Sequence, residues 1–123
     1  MKRKFVLIDS MRKVPAGERA TVYARCKGPI VISQFTLSAS TSLAFDIEDI
    51  TVGNLALLLN TMPGSAFNLL MRDFTSIGCI RATVIRFVVQ CTDDKPRRFT
   101  AAGHEKLKPF SNLPKKPNIY WTR

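Results

Sequence analysis

Apolar and polar side chains alternate along much of this chain with a period of two. The clearest run extends from Arg19 to Cys26, where every second residue is apolar and the residues between them are basic, hydroxyl-bearing or aromatic. Alternation of this kind places one side of a strand in a core and the other side in solvent. Four further segments are rich in β-branched or aromatic residues and are predicted to be strands as well: 4–10, 30–37, 45–52 and 77–91.

Turn-forming residues separate these predicted strands. Pro15 and Gly17 predict a turn over Val14–Glu18, and Gly53–Asn54 predicts another after the strand at 45–52. Within that strand the alternation slips by one residue at Asp49–Ile50, which is the pattern of a β-bulge. The hydroxyl-rich segment 38–42 is predicted to be a loop.

Two segments are harder to assign from the pattern. Residues 55–71 begin with apolar helix formers but contain Pro63, so they predict a short helix or strand, a loop, and a helical turn that Ser65 would cap. Residues 97–103 are expected to pair with the strand before them as a hairpin.

Several short strands divided by Gly and Pro turns favour an all-β fold, specifically a single antiparallel β-sandwich of the jelly-roll kind with a basic N-terminal segment. The alternative is an α+β fold with two short helices within residues 55–77. We expect one β domain over residues 1–106, followed by an extended arm over 107–123 that is rich in Pro and Lys.

Positive charge is concentrated at the two ends of the 123-residue chain, which carries 19 Lys and Arg against 9 Asp and Glu. Residues 1–27 have a net charge of +6, residues 28–94 of −3, and residues 95–123 of +7. Basic segments that flank a slightly acidic centre are typical of proteins whose ends contact a polyanion, and nucleic acid is the polyanion we expect.

The predicted contact residues are the basic side chains of both ends and the aromatic residues among them. Arg19, Tyr23 and Arg25 are expected to share the solvent face of one strand. Tyr120 and Trp121 would stack on bases or anchor the arm in a neighbouring subunit. The full set is Lys2, Arg3, Lys4, Arg12, Lys13, Arg19, Tyr23, Arg25, Arg97, Arg98, Lys106, Lys108, Lys115, Lys116, Tyr120, Trp121 and Arg123.

No residue set points to catalysis, a metal or a cofactor. His104 lies beside Glu105, but neighbours on a strand face opposite sides, and Asp46, Glu48 and Asp49 are interpreted as a solvent-facing acidic strip. The three cysteines form no metal-binding spacing and are expected to be reduced and buried. We therefore predict a protein that is not an enzyme and has no small-molecule substrate.

Targeting signals are not apparent either. No window of 18 apolar residues predicts a membrane span. Asp9 ends the first apolar run after four residues, so export by a signal peptide is not expected.

Three segments together resemble small, uncharacterised β-sandwich proteins encoded beside bacteriophage structural genes: Pro15–Val22, Phe45–Asn54 and Pro96–Ala102. This resemblance implies a structural subunit of a virus particle, found in the virion or the host cytoplasm, with copies of itself and other virion proteins as partners. Ser33–Leu37 is also similar to the SQFTL motif of D-aminoacyl-tRNA deacylases, but the C-terminal motif of that family is missing. The alternative function is a stand-alone module that binds single-stranded nucleic acid, RNA or DNA.

Overall fold

The computed structural model of the protein describes residues 4–58, 60–70 and 76–106. These residues form two antiparallel sheets and two short helices, so the expected β-rich fold is confirmed. No helix in this part of the chain has both the length and the apolar character needed to cross a membrane. In chain order the elements are β1 (Phe5–Val14), β2 (Arg19–Arg25), β3 (Ile30–Leu37), α1 (Ala39–Ala44), β4 (Phe45–Val52), β5 (Leu55–Ala56), β6 (Met62–Pro63), α2 (Gly64–Leu70), β7 (Ile77–Cys79), β8 (Val84–Cys91) and β9 (Arg97–Glu105).

The two sheets are built from strands that are distant in sequence. Sheet I has the strand order β1-β9-β3-β7, and sheet II has the order β2-β8-β4-β5, with β6 also paired to β4. The pairs β1–β9, β2–β8, β3–β7 and β4–β5 are nested, because each pair encloses the next along the chain. Consecutive strands therefore alternate between the sheets over most of the fold.

Aromatic side chains join the inner faces of the two sheets. Phe35 of sheet I meets Phe87 of sheet II edge to face, with ring centroids 5.3 Å apart, and Phe45 of sheet II meets Phe99 of sheet I at the same distance. Phe87 also lies 5.5 Å from Phe99, and all four rings are buried. Edge-to-face pairs of this kind add to the free energy gained by burying the rings. The core thus lies between the sheets.

The sequence pattern predicted β2 and β4 well. In β2 the side chain of Val22 is buried and that of Tyr23 is exposed, as the alternation requires. The predicted bulge in β4 is confirmed, since its register with β8 shifts between Ile47 and Asp49. Both predicted turns are present, and each contains a glycine with positive φ, Gly17 and Gly53.

The prediction of a loop at 38–42 was wrong. Ser38 caps a helix there: its Oγ accepts a hydrogen bond from the backbone N–H of Thr41, and α1 follows at once. The buried Oγ1 of Thr41 accepts a hydrogen bond from the N–H of Thr100. The hydroxyl groups that suggested a loop are thus used as a cap and as a contact to β9.

Residues 55–71 largely follow the prediction of a short helix or strand, a loop and a helical turn, whereas the two short helices of the alternative α+β fold are not found in the described residues. The described part of that segment holds one helix, α2, which begins at Gly64, between two short strands and β7. Gly64 packs so closely on α1 that a Cβ there would lie 2.5 Å from the backbone oxygen of Ser42. Asn68 of α2 hydrogen-bonds both the N–H and the C=O of Leu37, which holds the helix at the end of β3.

Strand boundaries and partners were wrong in three places. The first strand continues to Val14 through a bulge, although its pattern ends at Ser10. Residues 77–91 form two strands in different sheets, because a turn with Ala82 at a φ of 80° divides them. The strand at 97–105 does not pair with β8 as a hairpin; it lies between β1 and β3. The alternation of a strand fixes its faces but carries no information on its neighbours.

Candidate nucleic-acid interface

Two adjoining grooves run between β1 and β2, and together they form a surface that we call the trough. The larger groove has a volume of about 1380 Å³ and the smaller about 400 Å³. Asp9 and Tyr23 line both grooves, so the two lie next to each other. With ten residues in β1, the trough extends for roughly 33 Å at the usual rise of a strand.

The order of strands in the two sheets explains the position of the trough. β1 is an edge strand of sheet I and β2 is an edge strand of sheet II, and the two edges lie side by side. Outward residues of both strands therefore reach one surface. A bulge in β1 between Asp9 and Lys13 turns its second half, and Met11 adopts a φ of 64° there. The bulge is held because Asp9 accepts the N–H of Met11 and Ser10 accepts that of Phe99.

Basic side chains are the main charged groups that line the trough. Asp9 is the one acidic residue among those that line the two grooves. Arg98 donates two hydrogen bonds to its carboxylate, of 2.8 and 2.6 Å, and these bonds lower the pKa of Asp9. The charge of Asp9 is thus largely compensated, and the field in the trough is positive. The basic residues of the lining are Lys4, Arg12, Lys13, Arg19, Arg25, Lys27 and Arg81.

Most of these cations have no anionic partner. Arg19 forms an ion pair with Glu48 at 2.6 Å. Within the described residues the others form no ion pair, although Lys4 donates a long hydrogen bond to the carbonyl of Pro29. Cations left unpaired on one surface are the ones available to an external anion such as phosphate.

Exposed aromatic and apolar side chains lie between the cations. Phe5 is 61% exposed and Tyr23 62%, and the nearby Leu7 and Met11 are more than half exposed. Large apolar side chains grouped on one exposed surface mark a binding site more often than scattered ones do. Flat rings beside Lys and Arg suit a ligand that has both charged groups and aromatic faces.

A disulfide closes one end of the trough. Cys26, directly after β2, is bonded to Cys79 at the end of β7, so the bond links the two sheets. The expectation of three reduced cysteines was therefore wrong for this pair; Cys91 is free and buried. The sequence alone did not predict this bond, because the two residues are 53 positions apart.

The structure brings some of the predicted contact residues together and separates others. Lys4, Arg12, Lys13, Arg19, Tyr23 and Arg25 line the trough. Arg98 pairs with Asp9, and Arg97 pairs with Asp93, whose pKa the hydrogen bond from Arg97 lowers to about 2. Lys106 lies at the end of β9 and donates its N–H to Val31. Outside the described residues lie Lys2, Arg3, Lys108, Lys115, Lys116, Tyr120, Trp121 and Arg123.

Sequence reasoning missed five residues of the trough. The exposed Phe5 and Leu7 fall in the predicted strand 4–10, whose faces the pattern did not distinguish, and the exposed Met11 lies beyond the predicted end of that strand. Lys27 and Arg81 lie in turns at the closed end and carry no pattern of their own. No signal in the sequence marks β1 as an edge strand, so the exposure of the first three could not be predicted.

The remaining polar residues of interest form local contacts. His104 Nε2 lies 2.8 Å from Thr36 Oγ1 on the outer face of sheet I, and Glu105 accepts the N–H of Lys4. The acidic strip of β4 faces solvent as expected, but Glu48 and Asp49 pair with arginines of the same chain, Arg19 and Arg86.

The comparisons with known proteins add no relative to this picture. No family model, curated protein or solved structure matches the chain, so nothing in them links it to phage structural proteins or to the deacylases.

Proposed function

We propose that this protein is a non-enzymatic structural subunit of a virus particle, and that it binds single-stranded nucleic acid in the trough. The observation that carries the proposal is the trough itself, where unpaired Lys and Arg surround exposed Phe5 and Tyr23. We place the protein in the virion, and in the host cytoplasm before assembly.

The strand order supports the structural part of this proposal. A ribbon of nested antiparallel pairs, wound so that successive pairs fall in alternate sheets, is the arrangement of a jelly roll. The pairs from β1–β9 to β4–β5 follow that scheme, and we infer a jelly-roll-like sandwich. Viral capsid domains use this fold, as do lectins and cupins, so the argument for function rests on the trough and not on the fold alone.

The chemistry of the trough favours a single strand over a duplex. Phosphates would lie along the cations, with release of the counterions that they hold. Bases can stack on Phe5 and Tyr23 only if they are unpaired, since a duplex hides its base faces. Stacking of this kind contributes about 1–3 kcal/mol per base. A trough of this length is in the range that binds four or more nucleotides.

Fluorescence anisotropy with a labelled oligothymidine, its RNA counterpart and a duplex of equal length tests binding. We expect the single strands to bind more tightly than the duplex, with an affinity that falls steeply as salt is raised. Tyr23→Ala should weaken binding by about tenfold, as loss of one stacking ring predicts. The matched pair Arg25→Ala and Lys95→Ala compares an unpaired cation inside the trough with an exposed one outside it. If both variants lost the same affinity, or if the affinity did not depend on salt, the trough would not be the binding site.

Light scattering with and without oligonucleotide tests the structural role. A subunit of a particle should form discrete assemblies of many copies when nucleic acid is added. The second candidate, a stand-alone single-strand-binding module, predicts a monomer that binds oligonucleotide without assembling; the same unpaired cations favour it. A protein that stays monomeric at saturating nucleic acid would replace the first proposal with the second.

A further inference from the structure

The trough has a wall of backbone at one of its ends. There the chain crosses from β2 to β3 through residues 26–29, and this connection lines the larger groove together with the turn at 81–82. Lys4 Nζ donates a hydrogen bond of 3.5 Å to the carbonyl oxygen of Pro29, so the connection passes beside the start of β1. We call this part of the trough the closed end. Its cations are Lys4, Arg25, Lys27 and Arg81.

Unpaired positive charge is concentrated at the closed end. None of its four cations forms an ion pair within the part of the chain that the structure describes. In the smaller groove Arg19 already belongs to an ion pair, which leaves only Arg12 and Lys13. Asp9 lies in both grooves, but its charge is compensated by Arg98. An anion that enters the trough is therefore attracted most strongly to the closed end.

A disulfide holds together the two segments that carry most of these cations. Cys26 lies between Arg25 and Lys27, and its partner Cys79 precedes Arg81 by two residues. Two backbone hydrogen bonds, of 3.0 and 3.4 Å, also join the residue after β2 to the turn before β8. The backbone that carries the cations is thus fixed before a ligand binds, so less conformational entropy is lost on binding.

A terminal phosphate matches this arrangement better than an internal one. A phosphate inside a strand is a diester with a single negative charge, whereas a terminal phosphate is a monoester with nearly two charges at pH 7 and three free oxygens. Several Lys and Arg side chains can bind those oxygens at once. Tyr23 and Arg25 share the outward face of β2 and lie roughly 7 Å apart along it. A phosphate bound by Arg25 would therefore bring the terminal base to the ring of Tyr23.

We infer that the closed end binds the terminal phosphate of a single strand, so that the trough recognises the end of a strand in preference to its interior. Arg25, Lys27 and Arg81 hold the phosphate, and the rest of the strand extends along the trough away from the connection at 26–29. A strand that ends here does not have to pass over that connection. This role rests on the proposed function and deepens it, because it names the part of the nucleic acid that the site selects.

Fluorescence anisotropy with three oligothymidines of equal length, each labelled on an internal base, tests end recognition. One strand has a 5′-phosphate, one has a 3′-phosphate, and one has hydroxyl groups at both ends. We expect a phosphate at one of the two ends to raise the affinity about five- to tenfold, as one added charge-assisted contact predicts. The two phosphorylated strands carry the same charge, so a difference between them identifies the end that is bound.

The other outcomes separate end recognition from binding itself. Equal affinity of all three strands would overturn the recognition of the terminal phosphate and leave the proposed function intact. An equal gain from both phosphates would be an effect of net charge and would overturn it as well. If no strand bound, the proposed function would fail together with it.

Substitutions at the two ends of the trough locate the contact. Lys27→Ala and Arg81→Ala should each remove most of the gain from the terminal phosphate. Lys13→Ala is the matched control, because it removes an unpaired cation at the opposite end; it should weaken all three strands alike and preserve the gain. All three side chains are exposed, and circular dichroism establishes that the variants are folded. A gain that survives both substitutions at the closed end, or that Lys13→Ala also removes, would contradict the assignment.

Discussion

The two sheets have similar inner faces and very different outer faces. Inside, each sheet contributes buried Ile, Val and Phe side chains to one core. Outside, sheet II carries the ion pairs Arg19–Glu48 and Arg86–Asp49, whereas the centre of sheet I is uncharged. Packing constrains the inner faces alike, but stability places few demands on an outer face. The difference outside is therefore not set by the packing of the core.

The largest expected effect tests whether the inner faces form one core. Phe87 of β8, in sheet II, contacts the rings of Phe35 and Phe99 from sheet I and that of Phe67 from α2. Phe87→Ala should lower the free energy of unfolding by about 3–5 kcal/mol through lost burial and the cavity left behind. Urea unfolding followed by fluorescence and by far-ultraviolet circular dichroism should give one coincident transition. Two separate transitions would mean that the sheets unfold independently.

The next effect concerns the covalent link between the sheets. Cys79→Ser removes the Cys26–Cys79 bond, and we expect a loss of about 2–4 kcal/mol because the unfolded chain is no longer constrained. Thermal unfolding of wild type and variant measures it. Cys91→Ser serves as the comparison at a free buried cysteine. Under reducing conditions the wild type should approach the stability of Cys79→Ser, and a wild type unaffected by full reduction would contradict this account.

A smaller effect concerns the ion pair between Asp9 and Arg98 on the outer side of sheet I. The hydrogen bonds from Arg98 lower the pKa of Asp9, so the pair stabilises the fold above the ordinary pKa of aspartate, near 4, and this contribution is lost as pH falls through the lowered value. Because the Arg98 side chain is half exposed, although that of Asp9 is largely covered, we expect at most about 1 kcal/mol.

Thermal unfolding at pH 7, 5, 4 and 3 compares wild type with Asp9→Asn. The difference between them should be constant down to about pH 4 and should shrink below it. Asp93, with a pKa of about 2, stays largely charged at pH 3 and does not confound the result. If the difference in stability between wild type and Asp9→Asn grew as the pH fell, the ion pair could not be its cause.

The smallest effect is on binding and concerns the ion pair at the border of sheet II and the trough. Glu48→Gln frees Arg19, which should raise the affinity for single-stranded oligonucleotide by a few fold and steepen its salt dependence by about 0.7 in the logarithmic slope. Asp49→Gln is the comparison, since Arg86 lies outside the lining of the trough. An equal gain in both variants would indicate a general effect of net charge.

Local features of this fold were predictable, and long-range ones were not. The alternation in β2 and the slip in β4 are properties of single strands, and the predictions made from both are confirmed. The partners of β9 and the Cys26–Cys79 bond involve residues dozens of positions apart. The alternation of apolar and polar residues gives no information on such distant pairings. Tyr23 and Arg25 were predicted from the alternation within β2. The trough could not be predicted, because it also requires β1 to lie beside them.

The nested pairing has a consequence for how the chain acquires this structure. β9 lies between β1 and β3, and its partners in β1 are about 90 residues earlier in the sequence. During synthesis β1 therefore has no partner in sheet I until residue 105 has left the ribosome. Folding that depends on such distant contacts is slow, and an unpaired strand is prone to aggregate meanwhile. The newly made chain would benefit most from a chaperone just before β9 emerges.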